Sequence, residues 1–273
     1  MRNLKLLNLL YNNAKRGSFK AEGNSIYLYD IIVSSEIEAE WFGGVTPKQI
    51  ADQLKGMTGD VALRINSPGG DVFAAVAMSQ MLREYSGNVV AHVDGYAASA
   101  ASIVACAADE CVMAPGSMMM IHKAWTIGIG NADDMRSTAD LLDKIDQQIA
   151  QGYAEKSGKD AAGFIEAMAA ETWFTDTEAV DAGLADRVAE PEKKAQNKTA
   201  WDFSAYARGP QNADPVTTVT TTKSVKTITE EETETETVEV IAGDPSTLPP
   251  EDSAPSQIEA RQRQLAVRLL QAA

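Results

Sequence analysis

The sequence has 273 residues, of which 44% are hydrophobic and 23% charged, and carries a formal net charge of −15. A chain of this length holds one domain of about 190 residues plus an appendage, and a core of that size is stable on its own. An acidic chain whose interior offers no basic face is repelled by phosphate, which excludes nucleic acid as its main partner.

The first 24 residues are rich in leucine, but Lys5, Asn8, Asn12 and Asn13 interrupt the apolar run and no small-residue cleavage site follows. The segment therefore reads as a short amphipathic helix carrying Leu4, Leu7 and Tyr11, for packing or for a partner, and not as a signal peptide. No run of about 18 apolar residues occurs, so no membrane partner is expected. From Asn24 to about Val188, short β-rich runs alternate with helical patterns, the signature of an α/β domain. Strands are predicted at 25–32, 60–66, 88–94, 111–113 and 118–122, and helices at 46–54, 71–84, 98–108, 132–156, 161–169 and 177–182. The long helix from Ala132 carries a stripe of Met135, Ala139, Leu142, Ile145, Ile149 and Tyr153, with Gly128 and Gly130 before it and Gly158 after it. Such a helix can stand away from its domain and pair with a second copy. Cys106 and Cys111 lie in apolar segments, away from framework or ligand spacing, and read as buried reduced thiols of a cytosolic protein.

After Glu190 the composition changes. Residues 193–257 are rich in Thr, Ser, Pro, Glu and Asn, with six glutamates between Glu230 and Glu239, and such a stretch cannot offset the entropy of folding. The expected organisation is an N-terminal amphipathic segment (1–24), an α/β domain (25–190), a disordered acidic linker (191–257) and a short basic amphipathic helix (258–273). In that last helix Ile258, Leu265 and Leu269 share a face with Arg261, Arg263 and Arg268 nearby, which reads as a docking element or a frayed terminus.

Three segments carry chemistry. In VALRINSPGGDV a strand stops at Asn66, Pro68 stiffens the turn, and Gly69-Gly70 permit a backbone path that presents an N–H to an oxyanion before a helix begins at Asp71. In VVAHVDGYAASAAS a strand ends at Asp94-Gly95 and a small-residue helix begins near Ala98, which places Ser99 in its first turn, with the Ala100 N–H as a second donor. Taken alone, Ser99 there would be a helix cap. In GSMMMIHKAW, His122 ends an apolar run at a strand's C-terminal edge, where ligands of open α/β sheets gather. The other histidine, His92, lies inside an apolar alternation and reads as structural. Neither histidine has a partner at ligand spacing, so no metal or organic cofactor is expected.

SPGGDV, GYAASAAS and MMMIHKAW, in this order and at this spacing, resemble the motif set of the Clp protease proteolytic subunits, over roughly residues 25–188. The resemblance implies a serine peptidase of crotonase-like α/β fold, built of repeated ββα units with a projecting handle helix from Ala132. It implies Ser99 as nucleophile, His122 as general base, and an oxyanion hole from the backbone of Gly70 and Ala100. It also implies a homo-oligomer of facing rings, heptameric in that family. Peptide would lie extended beside Gly69, Gly70 and Asp71 and near Lys123 and Trp125, adding a strand. The family's third catalytic residue is an aspartate shortly before the segment matching FTDTEAVDAGLAD; Glu171 occupies that place, with Asp176 and a Ser-His dyad as alternatives. The leucine-rich start, the IYLYDII strand, the WFGG and the long tail resemble the phage or prophage branch of head-maturation proteases. Protein substrates would then be capsid or scaffold precursors, in the cytoplasm of a bacterial or phage-infected cell or in the procapsid. The other readings are an ATPase-assisted degradation subunit, with the unfoldase partner left open, a Ser-Lys peptidase using Lys123, acyl-CoA chemistry on the same fold, and a non-catalytic assembly protein.

Overall fold

A computed structural model describes residues 5–190 and 200–210. In chain order the elements are α1 (Lys5–Asn13), β1 (Ser18–Glu22), β2 (Ser25–Tyr29), α2 (Glu36–Phe42), α3 (Pro47–Lys55), β3 (Val61–Ser67), α4 (Val72–Glu84), β4 (Val89–Ala98), α5 (Ala100–Cys106), β5 (Glu110–Met113), β6 (Met118–Ile121), α6 (Ala132–Ser157), α7 (Ala161–Ala169), β7 (Thr172–Thr175), α8 (Asp176–Ala182) and β8 (Arg187–Val188). Local chemistry sets many of the helix limits. Thr46 and Gln49 close a capping box with Pro47 behind them, Asn131 pairs likewise with Asp134, and Thr175 with Glu178. Gly158 and Gly183 then end α6 and α8 in the left-handed conformation.

β2, β3, β4, β5 and β8 run parallel in that order, and β1 folds back antiparallel on β2. β4 is ten residues long and, with β3 along one edge, serves two partners along the other. Val90 to Val93 pair with β5, while Tyr96 to Ala98 pair with β6, which in turn pairs antiparallel with β7. This change of partner separates the end of β4 from β5 and turns it toward β6, which fixes where the next residue, Ser99, emerges. Along most of β3 and β4 burial alternates, so one face supplies Leu63, Ile65, Val89 and Val93 to a core that also holds Ile26, Met78 and Met119, while Ala62, Arg64, Val90 and His92 on the other face are partly buried. Leu63→Ala should therefore cost about 2–5 kcal/mol, seen as a lower denaturation midpoint at unchanged m-value.

Several boundaries differ from the sequence reading. β4 runs through Asp94-Gly95 to Ala98, four residues past its expected end, because β6 satisfies its backbone there. β1, α2, β7 and β8 were not foreseen: β1 is exposed at four of its five residues and lacks an apolar alternation, and β8 is two residues long. The domain also begins earlier than residue 25, since β1 is a sheet member and α1 packs Leu7 and Leu9 inward. The stripe on α6 divides: Ile149 and Tyr153 are buried, while Met135 is exposed near the helix start.

The largest correction concerns the expected linker 191–257. Its residues 200–210 pack onto the domain, burying Trp201, Phe203 and Tyr206 with Leu9, Ala98 and Met120 in a second apolar cluster. Among the residues after Phe174 these three are the only aromatics, and their burial offsets the ordering cost that the surrounding composition cannot. The remainder of the expected linker, the terminal helix and Leu4 lie outside the described residues. No helix of the described residues is long and apolar enough to cross a membrane.

Candidate active site

Ser99 sits at the corner between β4 and α5 with φ 53° and ψ −123°, and its side chain makes no capping bond. The cap reading therefore fails. A sharp strand-to-helix turn of this kind pushes the serine hydroxyl out of the backbone's reach, at a strain of about 1–3 kcal/mol. The Ser99 N–H donates to Met120 O at 2.8 Å, tying the corner to β6, and β6 leads two residues on to His122. The result is a Ser99 Oγ to His122 Nε2 distance of 2.7 Å. Below the corner, the Ser102 hydroxyl donates to Ser99 O at 2.6 Å and lies 2.8 Å from the Tyr153 hydroxyl on α6.

Gly69 and Gly70 lie against this corner. Ile32 N–H donates to Gly69 O at 2.8 Å and Asp71 N–H donates to Ile32 O at 2.9 Å. Gly70 alternates with these residues, so its own N–H points to the opposite side, away from Ile32. A Cβ on Gly69 would come within 2.8 Å of Ser99 Cβ and 3.1 Å of Ala100 N, so the two segments are in backbone contact. Ala100 opens α5, where a helical N–H has no intrahelical acceptor. Gly70, Asp71, Ser99, Ala100, His122 and Trp125 line one cleft of about 460 Å³. Asp71 caps α4, accepting from Ala74 N–H at 2.7 Å, and the Trp125 ring meets the His122 ring edge-on at 4.3 Å.

Other expected site residues are placed elsewhere. The Lys123 ammonium pairs with Asp143 and Asp146 on α6, at 3.9 and 3.6 Å, so the Ser-Lys reading has no geometric basis. Asp146, nearly fully buried, also accepts from Ala124 N–H at 2.8 Å and so anchors the loop that follows His122; its place between Leu142 and Ile149 on the apolar stripe is its one signal in the sequence. Glu171 is only 8% exposed, yet its carboxylate accepts from Ala207 N–H at 2.7 Å and Arg208 N–H at 2.5 Å. His122 Nδ1 is buried and meets no hydrogen-bond partner among the described residues. The expected Glu171–His122 pair is thus not made, because the backbone of the 200–210 segment takes the carboxylate. Asp176 accepts from Gly116 N–H and Thr177 N–H at 2.7 Å each and is engaged at the start of α8.

Burial, with the Lys5 ammonium of α1 adding to it, lowers the His122 imidazole from 6.5 to about 3. Tyr206 packs on the same ring at 5.2 Å, and burial drives its own hydroxyl up. The neutral imidazole is the form able to accept the Ser99 proton. An NMR titration should find His122 still neutral at pH 5. Because the folded-state value is depressed, its contribution to stability is present above pH 6.5 and is lost as the pH falls from 6.5 toward 3. His92, opposite Arg64 in the β3–β4 register, is also lowered, mainly by burial, and takes no part in the cleft.

A sequence model described as Clp protease matches residues 25–192, more than half of the chain. The chain belongs to the Clp protease family. That family comprises serine-type peptidases, hydrolases acting on peptide bonds. Among similar Clp relatives, ATP-dependent Clp protease proteolytic subunit 3 of Rhodococcus jostii is 33% identical over 132 residues, covering 47% of this chain and 65% of the relative, just under two thirds of its length. The proteolytic subunit of Ligilactobacillus salivarius is 28% identical over 166 residues, 60% of this chain and 84% of the relative. Proteolytic subunit 1 of Chlamydia abortus is 33% identical over 156 residues, 53% of this chain and 81% of the relative. A point mutant of ClpP1 from Listeria monocytogenes superimposes with a TM-score of 0.53 at 20% identity, over 62% of this chain and 92% of that structure. The α/β sheet and its helices therefore have the Clp protease fold. The match begins at residue 25 and ends at 192, so α1, β1 and the 200–210 segment lie outside it.

Proposed function

We propose that this protein is a serine endopeptidase in which Ser99 is the nucleophile and His122 the general base. The observation that carries the proposal is the 2.7 Å approach of Ser99 Oγ to His122 Nε2, both of which line the cleft. Ser99 Oγ attacks the scissile carbonyl as its proton passes to Nε2, and the N–H groups of Gly70 and Ala100 receive the oxyanion. Collapse breaks the C–N bond, the imidazolium returns its proton to the leaving amine, and water then hydrolyses the acyl-enzyme by the same proton path in reverse. Gly69 and Asp71 flank the expected path of an extended peptide, and Trp125 forms its apolar wall.

The protein acts as a homo-oligomer in this proposal. Phe73 and Val76 on α4 and Leu141 on α6 are exposed at 64%, 48% and 53%, and with Ile103 and Ile145 they line one apolar groove suited to a second copy. The biological substrates we propose are capsid or scaffold precursors in phage head maturation, supported by the extensions at both ends beyond the family match. Purified protein incubated with coexpressed capsid precursors should release fragments, detected by mass spectrometry, that vanish in Ser99→Ala. Cleavage of general substrates only with an added ATPase unfoldase would instead identify a degradation subunit.

A further inference from the structure

Residues 200–208 pack beside the cleft, where Tyr206 joins its lining and the backbone of Ala207 and Arg208 meets Glu171. The register of β6 and β7 pairs Ile121 with Thr172, so the next cross-strand pair outward is His122 with Glu171. On an antiparallel ladder such neighbours lie side by side with side chains on the same face. The ladder stops before that pair. Glu171 has φ 50°, a conformation that non-glycine residues seldom adopt, and both its carboxylate oxygens turn to Ala207 N–H and Arg208 N–H. Tyr206 fills the space beside the imidazole: its ring lies 5.2 Å from His122, 5.0 Å from Trp125 and 6.0 Å from Trp173, and its hydroxyl donates to Pro68 O at 2.6 Å. One residue therefore bridges the histidine side of the cleft to the turn that leads from β3 into Gly69-Gly70.

A second set of contacts holds the segment from its N-terminal end. Asn13 of α1 donates to Asp202 O at 2.9 Å and accepts from Asp202 N–H at 2.6 Å, Arg16 donates to Ala200 O at 3.1 Å, and Asn12 donates to Ser204 Oγ at 3.3 Å. Trp201 and Phe203 pack with Leu9, and Phe203 also lies against Tyr96 and Trp173. The cost of this arrangement falls on His122, whose Nδ1 is buried without a partner while the one carboxylate beside it in register is occupied. A buried polar group left unpaired costs free energy, and here the groups that occupy the neighbouring carboxylate keep that cost in place.

We infer that residues 200–208 are an autoinhibitory strap that withholds Glu171 from His122, and that displacing the strap completes a Ser99–His122–Glu171 triad and opens an aromatic-lined groove to peptide. The inference rests on the serine peptidase reading above. In the closed form the Ser-His pair works without an orienting carboxylate. In the open form Glu171 accepts from Nδ1–H, fixing the tautomer that leaves Nε2 free to take the serine proton, an effect worth up to about 10⁴ in turnover in serine proteases.

The test compares full-length protein with Ala207→Pro, which deletes the N–H given to one Glu171 oxygen, and Tyr206→Ala, which removes the wedge. Readouts are hydrolysis of a fluorogenic peptide and the rate of Ser99 labelling by a fluorophosphonate. Both variants should gain at least tenfold in kcat/KM. Adding Glu171→Gln to either should abolish the gain, and a synthetic peptide of residues 200–209 should restore inhibition. The acid limb of the rate profile should rise toward pH 6.5 or above in the strap variants and fall back with Glu171→Gln, a displacement that a merely structural carboxylate would not produce. Unchanged or lowered activity in both folded variants, or a gain that survives Glu171→Gln, overturns the strap. Failure of Ser99 to label in every form would instead sink the peptidase reading itself. A measurement on the unaltered chain covers the case of unstable variants: after Ser99 is trapped by a peptidyl phosphonate, the amides of Ala207 and Arg208 should exchange hydrogen about 100-fold faster, and undiminished protection overturns the inference.

Discussion

Ser99→Ala should lower peptide hydrolysis by about 10⁴-fold or more and abolish fluorophosphonate labelling, while the chain stays folded. The magnitude follows from the role: without the hydroxyl no acyl-enzyme forms, and what remains is the modest acceleration that substrate binding and the oxyanion donors give a water attack. The backbone at this corner stays as it was, because its bonds run through Ser99 N–H to Met120 O and Ser99 O to Ser102, neither of which uses the hydroxyl. The substitution does leave His122 Nε2 without its partner beside an Nδ1 that already lacks one, so a small fall in Tm is expected. Pairing it with His122→Ala should cost no more in activity than Ser99→Ala alone, since the two residues act on one proton. Additive losses, or residual turnover near the unaltered level in Ser99→Ala, would mean that another group performs the chemistry. The assay is best run alongside Ala207→Pro, whose higher starting rate widens the measurable range.

The legible parts of the sequence were those whose physics is local. The limits expected for α3, α6 and α8 fall within a residue of the observed ones, where local caps and the glycines after α6 and α8 close the helices. The spacing of Gly69-Gly70, Ser99 and His122 singled out three turns, and the sheet brings those turns to one edge of one cleft. What the sequence hid was set by partners distant along the chain. β4 continues past Gly95 only because β6 is there to pair with it, and Ser99 becomes the hinge of a strained turn only because its N–H is held by Met120.

The strap was hidden for a related reason. Averaged over 193–257, the composition describes a chain that cannot fold, and the average obscured WDFSAY, where three aromatics fall within six residues. Those rings become ordered only against Leu9, Tyr96 and Trp173, none of which is near them in sequence. Glu171 shows the same limit at the site. Its position in the motif suggested a bond to His122, and the register places it across from that residue, but the bond it makes is decided by backbone donors 36 and 37 residues downstream. The signal that would have found the strap was the isolated aromatic cluster, read separately from its polar surroundings.

Gly70→Ala should reduce kcat/KM by about 10²–10³ and lower the stability of the chain, through one steric conflict with two consequences. Gly70 has φ 148°, a region that L side chains rarely enter, and an added Cβ would lie 2.0 Å from the carbonyl oxygen of Ile32. That oxygen is the acceptor for Asp71 N–H, and the neighbouring Ile32 N–H donates to Gly69 O, so the methyl cannot be accommodated without breaking the short pairing that holds Gly69 to Asp71 in place. The first consequence is local strain of about 1–3 kcal/mol plus the lost bonds. The second is that the Gly70 N–H moves away from the position where an oxyanion would form beside Ala100, and removing one such donor typically costs 10²–10³ in kcat. Gly23→Ala separates the two effects. Gly23, in the β1–β2 turn, also has a positive φ, 57°, but a Cβ there meets nothing within 4 Å, so that variant should lose a little stability and keep its kcat. If Gly70→Ala lowered Tm yet left the kcat of its folded fraction unchanged, the Gly70 N–H would have no part in the oxyanion site, and Ala100 would have to serve it without Gly70.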